Sequence, residues 1–140
     1  MRIKIGLLII MMLFCVVGKS QRMMFFDGIS NEHMYYDEAN DELVSLSKVE
    51  AEFTFSLFDD FSGFFSLDSN GNFKSYGIKD YNFDEESGVL TLYLMDEAGM
   101  EPVVIINETS MLLVISYDAN DRVELNRYEM ASIRFDSDAQ

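Results

Sequence analysis

The sequence predicts an antiparallel all-β domain, and three observations carry that prediction. Val49, Ala51, Phe53, Phe55 and Leu57 are apolar, while Glu50, Glu52, Thr54 and Ser56 between them are polar. This is the period-two alternation of a strand with one face on a core and the other in water. Short β-prone runs recur from there to about Tyr128, most of them ended by a polar turn signal such as Asn70-Gly71. One proline, scattered glycines and a hydrophobic fraction of 49% in 140 residues fit a single domain with a core of its own rather than a disordered chain.

The first twenty residues read as a secretory signal, residues 1–20. Arg2 and Lys4 make a basic start, and Ile5 to Val17 is apolar throughout apart from Gly6. Gly18-Lys19-Ser20 then places small residues at the −3 and −1 positions of a cleavage site before Gln21. The run is shorter than the roughly 20 apolar residues of a spanning helix, so no stable membrane span is expected after cleavage, and the alternative is an uncleaved anchor. Cys15 is the only cysteine, and the bulky Phe14 before it argues against lipidation. The expected location is secreted or periplasmic. Loss of Arg2, Lys4 and Lys19 leaves 7 basic against 25 acidic residues, a net charge of −18. Such a balance argues against nucleic acid and anionic membrane surfaces as partners. Without cysteine the mature domain has no disulfide and rests on its core alone.

Residues 21–47 are the least regular. Met23 to Phe26 fit a short strand, Asp27-Gly28 a turn, and Tyr35-Tyr36 no clear period. Leu43, Leu46 and Val49 fit a short helix with Asp41 as N-cap; a strand through Leu43, Ser45 and Ser47 fits less well. The barrel core is expected over residues 48–130. Lys48 to Phe58 is a strand, Asp59-Asp60 a turn, and Phe61 to Asp68 a second strand with Gly63 as a bulge. Ser69-Asn70-Gly71 is a hairpin turn, since Asn and Gly tolerate positive φ, and Asn72 to Ile78 returns. Tyr81 to Phe83 pair briefly, and Asp84 to Gly88 form a polar loop. Val89 to Met95 carries Leu90, Leu92 and Leu94 on one face, followed by a loop to Glu101. Val103 to Asn107, Met111 to Tyr117 and Arg122 to Glu129 complete the series, and residues 131–140 form a frayed tail. Neighbouring strands joined in order pair with one another, and a meander this long hides its edges by closing into a barrel or packing as two layers.

The order of these segments resembles the small lipocalin-like domains of secreted bacterial proteins. The resemblance runs through Phe64 to Phe73, Gly77 to Tyr81, Leu90-Thr91-Leu92, Val104 to Val114 and Glu124 to Tyr128, about two-thirds of the mature chain. It implies an up-and-down barrel, with one short N-terminal helix added by the reading of residues 42–47, around an internal cavity. The chain departs from the family in lacking any tryptophan, where such domains carry a Gly-x-Trp near the first strand.

Chemistry is sparse. His33 is the only histidine and reads as a solvated loop residue. Asp68-x-Asn70-x-Asn72 is oxygen-rich, but Gly71 stands too early and Lys79 replaces the glutamate of a calcium loop, so a hairpin is the simpler reading. Asp59-Asp60 and Glu85-Glu86 are carboxylate pairs that act only if the fold brings two together in a cleft. Asn107-Glu108-Thr109 is a formal glycosylation acceptor. Phe65, Tyr76, Tyr93, Tyr117 and Arg127 are the candidate ligand-binding residues: aromatics that line or fill an interior, and a cation that shares an inward face if Val123 and Leu125 point inward. The expectation is a non-enzymatic barrel, with no cofactor and no metal, that binds a small apolar or amphipathic ligand in its interior. The alternative is a packed barrel that binds another secreted or envelope protein.

Overall fold

The computed structural model describes residues 22–136, and the expected signal segment lies outside them. Nine strands run in chain order: β1 (Met23–Asp37), β2 (Glu42–Val49), β3 (Phe53–Phe58), β4 (Phe64–Asp68), β5 (Phe73–Asp84), β6 (Val89–Met95), β7 (Val103–Asn107), β8 (Leu112–Ala119) and β9 (Arg122–Asp136). From β3 onward each strand pairs antiparallel with the next, and β9 returns to β1 from Met23↔Asp136 to Tyr35↔Glu124. β1 and β3 to β9 thus close an eight-stranded barrel, the all-β antiparallel architecture that the sequence predicts. β2 stands outside the ring.

The long β1 makes this closure. Its first half, Met23 to Gly28, pairs with β3; its second half, Asn31 to Asp37, pairs with β2; and β9 lies along the other edge. Glu50 to Glu52 separate β2 from β3, and the Ala51 amide donates to the Ile29 carbonyl across the gap at 3.2 Å.

Four readings of the sequence are corrected here. Residues 21–47 are not irregular: β1 and β2 fill most of them. Asp27-Gly28 is no turn. Asp27 accepts from Thr54 Oγ1 (2.9 Å) and Arg134 Nε (2.6 Å) on the two flanking strands, and the backbone bulges beside Gly28. A Cβ at Gly28 would fall inside the Phe53 ring, so glycine is needed for a close approach and not for a bend. Residues 42–47 form a strand and no helix. An amphipathic helix needs a surface to cover, but Leu43, Leu46 and Val49 stay exposed, and the β1 ladder satisfies the backbone instead. Finally, β9 runs past Ala131 to Asp136, held by the first residues of β1, where fraying was expected.

The interior is filled at one end. Leu57, Phe64, Leu92, Leu94, Val104 and Leu113 are wholly buried and belong to one cluster. Each such side chain contributes roughly 1.5–3 kcal/mol by leaving water. At this lower end Phe61, in the β3–β4 turn, stacks on Tyr81 with ring centroids 4.1 Å apart and covers the flank where β5 extends beyond β4.

Two upper turns share one design. In Asp68 to Asn72 the Gly71 amide donates to the Asp68 carbonyl (3.1 Å), and Asp68 Oδ1 accepts from the Asn70 and Asn72 amides (2.9 and 3.0 Å). In Asp96 to Met100 the Gly99 amide donates to the Asp96 carbonyl (3.1 Å), and Asp96 Oδ1 accepts from the Ala98 and Met100 amides (both 2.9 Å). Gly71 and Gly99 both have φ of +86°, the left-handed region that favours glycine.

Candidate functional site

Above the packed lower half the barrel opens into a cavity of about 530 Å³. Its floor is an aromatic cluster. Phe53 and Phe55 lie edge-to-face on Tyr128 at 4.5 and 4.8 Å, and Phe64 links Phe55 to Tyr76 at 5.6 and 5.9 Å. Ile115 and Tyr117 on β8 and Asn126 on β9 form one wall; Asn31 on β1, with Val49 and Ala51 beside the β2–β3 break, forms another. The two aspartate turns and Lys74 complete the rim. Val49 and Ala51 therefore continue the inward face of Phe53, Phe55 and Leu57, but at a height where the barrel is not filled.

The floor phenols remain protonated across ordinary pH. Burial pushes Tyr128 up to about 12, with the Tyr76 and Tyr117 hydroxyls and the Asp68 carboxylate adding to the shift. Burial also raises Tyr76, the Asp96 charge adds to it, and a hydrogen bond with Ser66 opposes it. The buried Tyr76 and the half-buried Tyr128 can thus offer O–H donors to a guest in an otherwise aromatic floor.

Of the five candidate residues, Tyr76 and Tyr117 line the cavity and the other three do not. Tyr93 faces outward, opposite the buried Leu92 and Leu94, and is 43% exposed. Phe65 lies on the outer face, where its ring meets Phe58 at 5.6 Å and Phe73 at 5.7 Å. The inward position expected of Arg127 is corrected as well. Asn126 and Tyr128 take the cavity side of β9, so Arg127 falls on the opposite side and pairs with Glu32 at 3.2 Å. Val123 and Leu125 share its outer face because the inward positions near the mouth are polar, the reverse of the pattern in a packed strand.

Sequence reasoning missed a second upper cluster. Glu124 is only 4% exposed. Asn120 Nδ2 and Arg122 Nε each donate to its Oε2 at 3.1 Å, and His33 Nε2 lies 2.9 Å from its Oε1. The Asn120, His33 and Arg122 hydrogen bonds, together with the Arg122 charge, hold the carboxyl below its ordinary value despite burial. Arg122 also lies 3.9 Å above the Tyr35 ring. His33 is therefore a strand residue engaged with a carboxylate and not a loop residue in water. Alternation with the apolar Val123 and Leu125 pointed Glu124 to solvent, so no local signal marked this cluster.

Asp68, Asn70 and Asn72 form the hairpin turn described above. Donation from the Asn72 side chain and from the Asn72, Asn70 and Gly71 amides lowers the Asp68 carboxyl. No group of three or more His, Cys, Asp or Glu side chains suited to a metal ion occurs among the described residues, nor does any helix long and apolar enough to cross a membrane. Comparisons with protein-family models, with curated proteins and with solved structures find no match.

Proposed function

We propose that this chain is a secreted, non-enzymatic, lipocalin-like protein that holds a small amphipathic ligand in the upper half of its barrel. The observation that carries this reading is the cavity of about 530 Å³, which lies within the range of small-molecule sites. Its aromatic floor offers apolar burial, while Asn31, Tyr117 and Asn126 offer a few polar groups to orient the guest. The filled lower half restricts the ligand to the mouth. Export is supported by the pattern of residues 1–20, and the lipocalin-like assignment by the closed eight-stranded meander.

N-phenyl-1-naphthylamine, an uncharged fluorescent probe, tests the cavity directly. The wild-type protein is expected to bind it with a Kd of about 1–10 μM, and Ala51→Trp, which fills the mouth, is expected to weaken binding at least about tenfold while the protein stays folded by circular dichroism. Absence of binding to the folded wild type, together with no retained small molecule in native mass spectrometry, overturns the reading.

A second reading has one observation in its favour. Tyr93 and Ile105 are 43% and 40% exposed on the outer face of β6 and β7, where Tyr93 pairs with Val103 and Ile105 with Val114, an apolar patch of the kind found at protein interfaces. It fits a barrel whose outer wall meets another secreted or envelope protein.

A further inference from the structure

The cavity carries information about the charge of its guest. Glu52, Asp68 and Asp96 line the mouth, and Lys74 is the single cationic side chain among the described residues that line it. We propose that the mouth selects a protonated amine on an apolar or aromatic body, over neutral or anionic ligands of the same shape. This inference rests on the ligand-binding reading above and names its chemical class.

Three observations support it independently of the acidic composition of the chain. First, two of the carboxylates are held in place. Asp68 and Asp96 each accept backbone amides of their own turns, so the charge at the mouth is positioned before any ligand arrives. Second, the charges reach the floor: Asp96 acts on the Tyr76 phenol and Asp68 on the Tyr128 phenol, the two hydroxyls at the base of the cavity. Third, Phe53, Phe55 and Tyr128 line the cavity, and aromatic rings suit both an apolar body and a neighbouring cation.

An anion fares worse on each count. It meets three carboxylates against one ammonium and approaches a molecule whose net charge is strongly negative. The rim is open to solvent, so each carboxylate acts through partial screening with a Debye length of about 8 Å at physiological salt. The selectivity therefore comes from the sum of three charges and not from one ion pair.

Three probes of matched body test the inference: 4-phenylbutylamine, 4-phenylbutan-1-ol and 4-phenylbutyrate, titrated calorimetrically into the full chain at low and at physiological salt. The amine is expected to bind about tenfold tighter than the alcohol at low salt, the butyrate weakest, with the gap narrowing as salt is added. Glu52→Gln/Asp68→Asn/Asp96→Asn removes the charges and keeps the Oδ1 acceptors of the turn amides, giving up only the Asn72 Nδ2 bond to Asp68 Oδ2. It is expected to cost the amine about tenfold and leave the alcohol unchanged. Lys74→Gln is expected to tighten the amine about threefold, which keeps the test in hand should the triple variant fail to fold. An alcohol that binds as tightly as the amine, or a butyrate that binds tighter, overturns the charge inference while leaving the cavity reading standing. Loss of N-phenyl-1-naphthylamine binding as well is the separate result that overturns the cavity reading.

Discussion

Tyr128 shows how a single residue records its surroundings. Its phenol sits between Phe53 and Phe55 on the cavity floor, and burial is the main reason that its value rises from 10.0 to about 12. The linkage to stability follows from proton counting. Between pH 10 and about 12 the unfolded phenol has lost a proton that the folded one retains. The stabilisation is fully present below pH 10 and is lost as pH rises through about 12, amounting to roughly 3 kcal/mol. Absorbance titration at the tyrosinate band should show one phenol that ionises last, near the alkaline unfolding transition, and Tyr128→Phe should remove that step. A Tyr128 phenol that titrates with the exposed tyrosines would contradict its placement in the floor.

At the scale of elements, β2 and β3 form a natural comparison, since both pair with β1 and nearly continue each other. They differ in what lies behind them. Leu57 on β3 is fully buried, whereas Leu46 on β2 is 47% exposed on a strand outside the ring. Leu57→Ala should cost about 3 kcal/mol by urea unfolding, through lost burial and a cavity. Leu46→Ala should cost no more than about 0.5 kcal/mol. Equal costs would mean that β2 packs against something in the folded protein. The same contrast explains the misreading of residues 42–47. A Leu43, Leu46, Val49 stripe has helical spacing, but spacing becomes helix only where a surface waits to receive it. β3 was legible because Phe53, Phe55 and Leu57 find that surface across the barrel.

For the whole molecule, the described carboxylates whose values move are all lowered. Asp27 is held down by its hydrogen bonds and ion pair with Arg134, helped by Thr54 and Ser132. Asp68 is held down by its turn, and Glu124 by Asn120, His33 and Arg122. Near their ordinary values of 3.8 for aspartate and 4.5 for glutamate, the unfolded chain binds more protons than the folded one. Their stabilisation is present above those values and is lost as pH falls through the lower folded ones. The urea midpoint should therefore drop from about pH 4.5 downward, and Glu124→Gln should flatten that part of the profile. A midpoint that rises steadily from pH 5 to pH 3 would show that relief of net negative charge outweighs these native bonds.

Sequence and structure divide the result along a physical line. Alternation at Phe53 to Leu57, the three leucines of β6 and the Asn70-Gly71 turn are local signals, set by the period of a strand and the φ preferences of a few residues, and they were enough to reveal an antiparallel meander, whose closure into a barrel was expected from its exposed edges and from the family resemblance. Tertiary structure decided everything that depends on what lies opposite. Asp27-Gly28 is strand because Phe53, Thr54 and Arg134 meet it from elements that are distant in sequence. Arg127 faces out and Asn126 faces in because the upper barrel is left unfilled, so polarity there marks the inside instead of the surface. The mouth itself, with its aromatic floor and three carboxylates, is assembled from loops and strand ends between Asn31 and Tyr128. No local pattern encodes such an assembly, because it exists only once the ring has closed.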